Sequence, residues 1–129
     1  RVRSSAASDV YKRQLQVTLT NVANDDFPYV SVGGSRLANY PHAGQTLTAY
    51  VYLPSNSVSL AAKVFVMDSN YHWFSPNAMT SLTPGIWNRL TFTLPPAISG
   101  QPRSIGIQFN NLSSVATSSN LYIDAVSWG

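Results

Sequence analysis

Apolar and polar residues alternate along most of this chain with the two-residue period of β-strands. In residues 46–53, for example, Leu47, Ala49 and Val51 alternate with threonines and tyrosines. Successive side chains of a strand point to opposite faces of a sheet, so this pattern buries one face and leaves the other in solvent. Alternation or a short apolar run also predicts strands at residues 15–20, 29–32, 60–67, 87–94, 104–110 and 121–128.

Turn-forming residues separate the predicted strands, and no stretch has a helical period. Asparagine, aspartate, glycine and proline cluster between them, and residues 111–120, rich in serine, threonine and asparagine, are expected to form a loop. Several short strands divided by such turns are typical of an antiparallel sandwich. We therefore predict an all-β fold, an antiparallel β-sandwich.

Length and composition exclude several classes of protein. The 129 residues suffice for one domain with a core, and the absence of cysteine excludes disulfides and thiolate metal sites. No apolar run approaches the roughly 18 residues of a membrane span. The net charge of +3 arises within residues 1–14, because four basic and four acidic residues follow them. A neutral folded part does not favour nucleic acid as a partner.

The first residues differ from the rest of the chain. Residues 4–14, SSAASDVYKRQ, resemble the translation of a sequencing-library adaptor read into the gene. We expect residues 1–14 to be a non-native tail, residues 15–129 to be the domain, and natural sequence to be missing in front of it. An adaptor of this kind implies environmental DNA as the source. The chain opens without the apolar segment of a signal peptide.

Residues 61–87 contain the most unusual feature of the sequence. An apolar run ends at Asp68, and Tyr71, Trp73 and Phe74 follow in a polar, turn-like segment. Aromatic rings are costly to leave in water unless they stack on one another or on a partner. A pyranose is such a partner, because it has an apolar face for a ring and a hydroxyl edge for hydrogen bonds. We therefore take sugar binding as the working hypothesis.

The sequence offers little for catalysis. A glycosidase needs two carboxylates across the scissile bond, yet the chain has no glutamate and few aspartates. His42 and His72 are isolated from each other, and no serine-hydrolase, metal-binding or phosphate-loop motif is present. We expect no catalytic residues and no enzyme. A small lyase or hydrolase with two aspartates brought together by folding is the alternative.

The second half of the chain resembles a known family. The succession AKVFVMD, YHW, LTPGIWNRLTFTLP, SIGIQF and LYIDAVSW is similar to the β-sandwich, or jelly-roll, carbohydrate-binding modules of bacterial glycoside hydrolases. The resemblance covers residues 61–129 well and residues 15–60 loosely. Among these modules, the chain most resembles a small β-glucan-binding family known from soil-derived endoglucanases.

The resemblance implies a concave sheet whose exposed face forms an open cleft for a glycan chain. Combined with the alternation, it places ligand contacts on the strand face opposite the core and in the aromatic loop. The implied contacts are Tyr50, Tyr52, Lys63, Trp87, Arg89, Gln108 and Asn110 on strands, with Tyr71 and Trp73 from the loop. Phe65 and Thr91 share the same predicted face.

The implied function is non-catalytic binding of β-linked plant cell-wall polysaccharide. β-1,4-Glucan, mixed-linkage glucan and xyloglucan are preferred, ahead of mannan and xylan, and the charged and amide groups among the rings favour single chains over crystalline cellulose. Weak binding raises the concentration of substrate near a tethered glycoside hydrolase domain. We expect a monomeric module of a secreted, extracellular bacterial enzyme, without a membrane or nucleic-acid partner.

The resemblance also implies a structural calcium ion. In similar modules an aspartate of the last strand binds Ca²⁺ together with oxygens from an early segment, which here points to Asp124 with Asp25 and Asp26. The glutamate usual in the early half is missing from this chain. The alternative is that Asp124 accepts a hydrogen bond from a neighbouring turn.

Several assignments have a structural alternative. Trp87 is equally suited to closing one end of the sandwich, and Tyr50 and Tyr52 to lying under a loop. Phe65 is more typical of the core than of a ligand contact. Trp73 is surrounded by polar residues and is favoured as a ligand contact. For the whole chain, the alternative is a β-sandwich adhesion or structural domain without a sugar site, in which Trp73 packs inward or against a neighbouring domain.

Overall fold

Nine β-strands make up the regular structure in a computed structural model of the chain, which describes residues 15–24, 26–34, 39–54 and 56–129. The tail predicted at residues 1–14 lies outside the described residues. The strands are β1 (Leu15–Val22), β2 (Tyr29–Gly33), β3 (Thr46–Tyr52), β4 (Leu60–Met67), β5 (Trp73–Phe74), β6 (Thr80–Ser81), β7 (Trp87–Thr93), β8 (Ser104–Asn111) and β9 (Thr117–Trp128).

The strands pair into two antiparallel sheets that enclose the core between them. One sheet has four strands in the order β1-β9-β3-β7, and the other has the order β2-β8-β4-β5, with β6 also paired to β4. The seven longer strands alternate between the sheets along the chain, which is the jelly-roll arrangement. The predicted antiparallel β-sandwich is confirmed. In the part of the chain that the structure describes, no helix is long and apolar enough to cross a membrane.

The core is filled by the inward side chains that alternation predicts. Leu47, Ala49 and Val51 of β3 are fully buried, as are their counterparts on β8. Burial of apolar surface stabilises the sandwich by roughly 25 cal/mol per Å². More residues of β4 are buried than alternation predicts. This strand lies inside its sheet, and Trp73 and Tyr29 cover the outward ring of Phe65.

The last strand begins earlier than the sequence predicts. Residues 117–120, expected in a loop, pair with β1, with Thr117 opposite Val22 and Ser119 opposite Leu19. Their composition favours turns, but pairing with β1 supplies partners for their backbone groups and outweighs that local preference. The two-residue strands β5 and β6 were likewise unpredicted, and both form along the edge of β4.

A buried asparagine, Asn111, ties the end of β8 to its surroundings. Its side-chain amide donates to the carbonyl oxygens of Val22 and Val115, at 2.8 Å each. Its side-chain oxygen accepts from the backbone N–H of Ser113 at 2.9 Å and from the hydroxyl of Thr117 at 3.3 Å. One side chain thus joins the end of β1 to the loop between β8 and β9.

Candidate functional site

The predicted ligand contacts lie on two opposite faces of the sandwich, so the expectation of a single shared face is wrong. Alternation distinguishes outward from inward positions, but it does not assign a strand to one of two sheets, whose outer faces point in opposite directions. Tyr50, Tyr52, Trp87, Arg89 and Thr91 lie on the four-stranded sheet. Lys63, Phe65, Gln108 and Asn110 lie on the five-stranded sheet, together with Trp73 from β5.

Three aromatic rings cover the middle of the five-stranded sheet's outer face. Trp73 stacks on Phe65 with ring centroids 3.9 Å apart and planes 9° apart, and Tyr29 meets Phe65 and Trp73 edge-on at 5.4 and 5.8 Å. Phe65 is completely buried beneath them, whereas Trp73 is 37% exposed and Tyr29 59%. We call Tyr29, Phe65 and Trp73 the Trp73 platform. Phe65 therefore lies on the outer face, as alternation predicts, but serves as a support for Trp73.

The orientation of the Trp73 ring is set by its neighbours. Its indole Nε1 donates to the hydroxyl of Ser75 at 3.2 Å, and β5 places Trp73 opposite Met67. The Phe65 ring beneath it lies against the backbone of β8, where a Cβ on Gly106 would be only 2.5 Å from the ring. An aromatic surface held in this way loses little conformational entropy when a ligand stacks on it.

Polar side chains border the platform along the same sheet. Lys63 lies opposite Gln108. Lys63 Nζ donates to the carbonyl oxygen of Pro76 and Gln108 Nε2 to that of Phe27, both at 3.4 Å, which is longer than usual for such bonds. Asn110 Oδ1 is enclosed and accepts no hydrogen bond from the described residues. An unmet buried acceptor is costly.

Tyr71 and Arg103 pair with each other beside the turn that leads into β5. The Arg103 guanidinium lies 3.9 Å from the centre of the Tyr71 ring, a cation–π contact. Tyr71 is 66% exposed and has a φ of 65°, a left-handed conformation that is uncommon outside glycine. The predicted contact Tyr71 is thus exposed, and the Arg103 guanidinium lies over its ring.

Asp68, at the end of β4, organises the turn that leads into β5. Its buried carboxylate accepts hydrogen bonds from the backbone N–H groups of Asn70 and His72 at 2.9 Å each, and of Ser99 at 3.1 Å. The Nδ1 atom of His72 lies 3.5 Å away. Burial by itself raises the pKa of Asp68, but the three amide donors and the attraction of His72 outweigh it and lower the pKa below its ordinary value.

The lowered pKa of Asp68 predicts a stability contribution that depends on pH. A carboxyl group whose pKa is lower in the folded than in the unfolded chain stabilises the fold above its unfolded pKa, and this contribution is lost as the pH falls through the folded pKa. We expect Asp68→Asn to be less stable than the wild type at neutral pH, because its NH₂ group would face amide donors. Below about pH 4 the difference should shrink.

Urea unfolding of both proteins near neutral pH and at about pH 3 measures this effect. Asp26→Asn is the matched control, because Asp26 is exposed and accepts only a 3.2 Å bond from the Ala23 N–H among the bonds described for its side chain. A destabilisation by Asp68→Asn that is equal at the two pH values would contradict the assignment.

The outer face of the four-stranded sheet carries a second set of rings. Trp87, Tyr52 and Tyr122 form one row across β7, β3 and β9, with centroids 5.4 Å apart between Trp87 and Tyr52 and 6.5 Å apart between Tyr52 and Tyr122. We call these residues the Trp87 row. Arg89 of β7 lies opposite Tyr50 of β3 in the adjacent row. Trp87 is 38% exposed, so it does not close the sandwich as a buried plug.

Tyr29, Tyr122 and Arg103 belong to these two surfaces but are not among the predicted contacts. A signal exists for Tyr29 and Tyr122, because each alternates with buried or half-buried aliphatic residues and so belongs to an outer face. No such signal exists for Arg103, which precedes β8 and reaches Tyr71 only through the folded turn. Neighbours that come from distant parts of the chain leave no periodic pattern.

Two of the three predicted calcium ligands, Asp26 and Asp124, lie far apart. Leu15 pairs with Ile123, which places Asp124 beside the start of β1. Asp26 lies beyond the other end of β1, where its backbone N–H donates to the carbonyl of Ala23. The intervening strand spans roughly 25 Å, whereas the ligands of one Ca²⁺ lie within about 2.6 Å of it.

Asp124 bonds to the next residue along the chain, and the described residues form no metal-binding group around it. Asp124 Oδ1 accepts from the backbone N–H of Ala125 at 2.7 Å. Among the described residues, no group of three or more histidines, cysteines or carboxylates could hold a metal ion. Asp25 lies outside the described residues. Asp124 and Asp26 therefore do not form one site, and calcium binding stays a prediction.

Comparison with known proteins gives matches at the level of structure. No protein-family model and no curated protein matches the chain. A carbohydrate-binding module of the β-sandwich superfamily has a TM-score of 0.55 at 18% identity, over 92% of this chain and 54% of that one. A family 22 xylan-binding domain from Paenibacillus barcinonensis has a TM-score of 0.50 at 19% identity, over 97% and 76% of the two chains. A mitogen from Yersinia pseudotuberculosis has a TM-score of 0.53 at 13% identity, over 91% and 86%.

These matches establish the fold. The chain spans about half of the first of these structures, and identities below one fifth carry no residue-level equivalence. The mitogen shows that the same fold serves another activity, so function has to be argued from the site. The chain thus has the β-sandwich fold that it shares with several carbohydrate-binding modules.

Proposed function

We propose that this chain is a non-catalytic carbohydrate-binding module that holds a β-linked plant cell-wall polysaccharide on the outer face of its five-stranded sheet. The Trp73 platform carries the proposal, because an exposed indole lies on a buried ring, with Lys63 and Gln108 in the next row of the sheet and Asn110 in the row beyond. A sugar ring can stack on the indole while the amide and ammonium groups bond its hydroxyls. Carbohydrate-binding modules among the structural neighbours, one described as xylan-binding, support this ligand class.

The platform favours a single glycan chain over a crystalline surface. The planes of Trp73 and Tyr29 are 76° apart, so the two rings cannot both lie flat on one surface. A β-1,4-glucan, mixed-linkage glucan or xyloglucan chain can instead pass over Trp73 toward the amides of β8. Stacking contributes about 0.5–1.5 kcal/mol per ring and a charged hydrogen bond about 1.5–3 kcal/mol. After the cost of ordering the glycan, affinities of roughly micromolar to millimolar follow.

Binding of this strength suits the targeting of a tethered glycoside hydrolase domain in a secreted bacterial enzyme, because attachment raises the local concentration of substrate. The carboxylate of Asp68 is buried and bonded to backbone donors, and Asp124 lies on the opposite sheet. These two aspartates therefore do not form the facing pair that glycoside hydrolysis requires.

Native affinity electrophoresis tests the proposal. Soluble mixed-linkage β-glucan and xyloglucan in the gel should retard the wild-type protein, with or without Ca²⁺. Trp73→Ala should weaken binding about tenfold or more, because it removes both the stacking and the apolar burial of the largest ring of the platform, and tenfold corresponds to about 1.4 kcal/mol. Trp73→Phe keeps a ring and should retain part of the affinity.

Val115→Ala provides a control, since Val115 is an exposed apolar residue beyond the opposite end of β8. This variant should migrate like the wild type, and circular dichroism verifies the folding of each protein. If no polysaccharide retards the wild type, or if Trp73→Ala migrates like it, the proposed site is refuted. The aromatic face would then fit an adhesion or structural domain that contacts a neighbour through Trp73.

A further inference from the structure

The Trp87 row is a line of aromatic rings that the proposed site on the opposite sheet does not use. Its rings come from three adjacent strands and are spaced by about one strand separation, ~4.8 Å, or slightly more. Gln16 of β1 lies opposite Tyr122 and continues the row with an exposed carboxamide. The line therefore runs across the whole four-stranded sheet and ends in a hydrogen-bonding group.

A second row beside it supplies charged and polar groups. Arg89, Tyr50 and Asp124 follow one another across β7, β3 and β9. Arg89 is exposed, and the half-buried Asp124 lies on the other side of Tyr50. The second row has one cation and one anion and therefore no net charge. Together with a row of aromatic rings, it matches a neutral ligand that has apolar faces and many hydroxyls.

We infer that the outer face of the four-stranded sheet is a second glycan-binding site, which takes a neutral polysaccharide chain along the Trp87 row. This inference rests on the proposed function, because it assigns a second surface to the same class of ligand. The sequence predicts Tyr50, Tyr52, Trp87 and Arg89 as ligand contacts, and this face keeps all four together.

The exposed apolar area of the row fits a thin ligand better than a second copy of the chain. A stable protein interface buries about 800 Å² on each partner. Even fully exposed aromatic side chains cover only about 150–250 Å² each, and Trp87 is 38% exposed while Tyr52 and Tyr122 are half-buried. A glycan chain needs only a line of rings with donors beside it.

Two sites on opposite faces would make the module bivalent toward a polysaccharide. A chain bound on one face cannot reach the other without wrapping around the sandwich, so the two sites would engage separate chains or separate segments of a long one. Simultaneous engagement increases the apparent affinity for a polymer beyond that of either site. It also cross-links polymer chains, which a module with one site cannot do.

The test compares the full chain with Trp73→Ala, Trp87→Ala and their combination, by affinity electrophoresis in soluble mixed-linkage β-glucan and by viscosity of the same polymer in solution. We expect each single variant to bind about tenfold more weakly than the wild type and the double variant to lose retardation. The wild type should raise the viscosity, and either single change should abolish that increase. Arg89→Gln removes the cation without touching a ring, and it should weaken binding severalfold in the Trp73→Ala background.

The possible outcomes distinguish failure of the second site from failure of the proposed function. If Trp87→Ala migrates like the wild type, if Arg89→Gln changes nothing in the Trp73→Ala background, or if the double variant equals Trp73→Ala, the second site is refuted while the proposed function stands. If sedimentation shows a wild-type dimer that Trp87→Ala dissociates, the row is an interface between copies and the inference fails. If the wild type binds no polysaccharide, the proposed function fails and this inference fails with it. Retention of all affinity by Trp73→Ala, lost in Trp87→Ala, would refute the proposed site alone.

Discussion

Gly106→Ala is expected to lower the free energy of unfolding by about 1–3 kcal/mol, the usual cost of an overpacked site. A Cβ at this position of β8 would lie 2.2 Å from the carbonyl oxygen of Val30 and 2.5 Å from the Phe65 ring. The Val30 oxygen belongs to the paired strand β2, and Phe65 is locked beneath Trp73 and Tyr29. The added methyl group must therefore separate β2 from β8 or displace the Trp73 platform.

Thermal unfolding and affinity electrophoresis together measure this effect. A loss of about 2 kcal/mol lowers the melting temperature of a domain of this size by roughly 6–10 °C. Displacement of Phe65 should also weaken polysaccharide binding at temperatures where the variant stays folded. Gly33→Ala is the matched control on β2, since its Cβ would meet only the Arg103 carbonyl oxygen, at 3.9 Å. Equal melting temperatures of the two variants would contradict the packing described for Gly106.

Asn111→Leu should destabilise the protein by about 4 kcal/mol, because it keeps the branched side-chain shape but removes every hydrogen bond of a fully buried group. Four hydrogen bonds are lost, and the carbonyl oxygens of Val22 and Val115 are among the groups that lose a partner. Each buried polar group left without a partner costs about 1–3 kcal/mol. Since small domains are stable by only about 5–15 kcal/mol, the loss is a large fraction of the total.

Urea unfolding with an unchanged slope would attribute this loss to stability rather than to a different unfolded state. Asn120→Leu is the control, because Asn120 is exposed on β9 and its side-chain oxygen accepts one hydrogen bond, from the Thr18 hydroxyl at 2.9 Å. We expect that change to cost less than about 0.5 kcal/mol. Similar effects of the two substitutions would show that Asn111 is not the anchor of the loop between β8 and β9.

The sequence indicates that Trp73 lies outside the core, but it does not reveal which residues surround its ring. Its polar neighbours indicate that it is not a core residue, and the structure leaves it partly exposed. What the sequence cannot reveal is the pair of rings around it, since Phe65 and Tyr29 come from two other strands. Stacking between residues of distant strands depends on pairing and register, which a local pattern does not encode.

The sequence by itself determined the all-β class, most strand positions and the inward face of each strand, because a period of two is a local property of the chain. Only the tertiary structure decided that Tyr52 and Trp87 face away from Lys63 and Gln108, because partners in a jelly roll lie far apart in sequence. It also decided that Asp26 and Asp124 lie at opposite ends of β1. Composition and spacing say which side chains turn outward, and the pairing of the strands decides which of them meet.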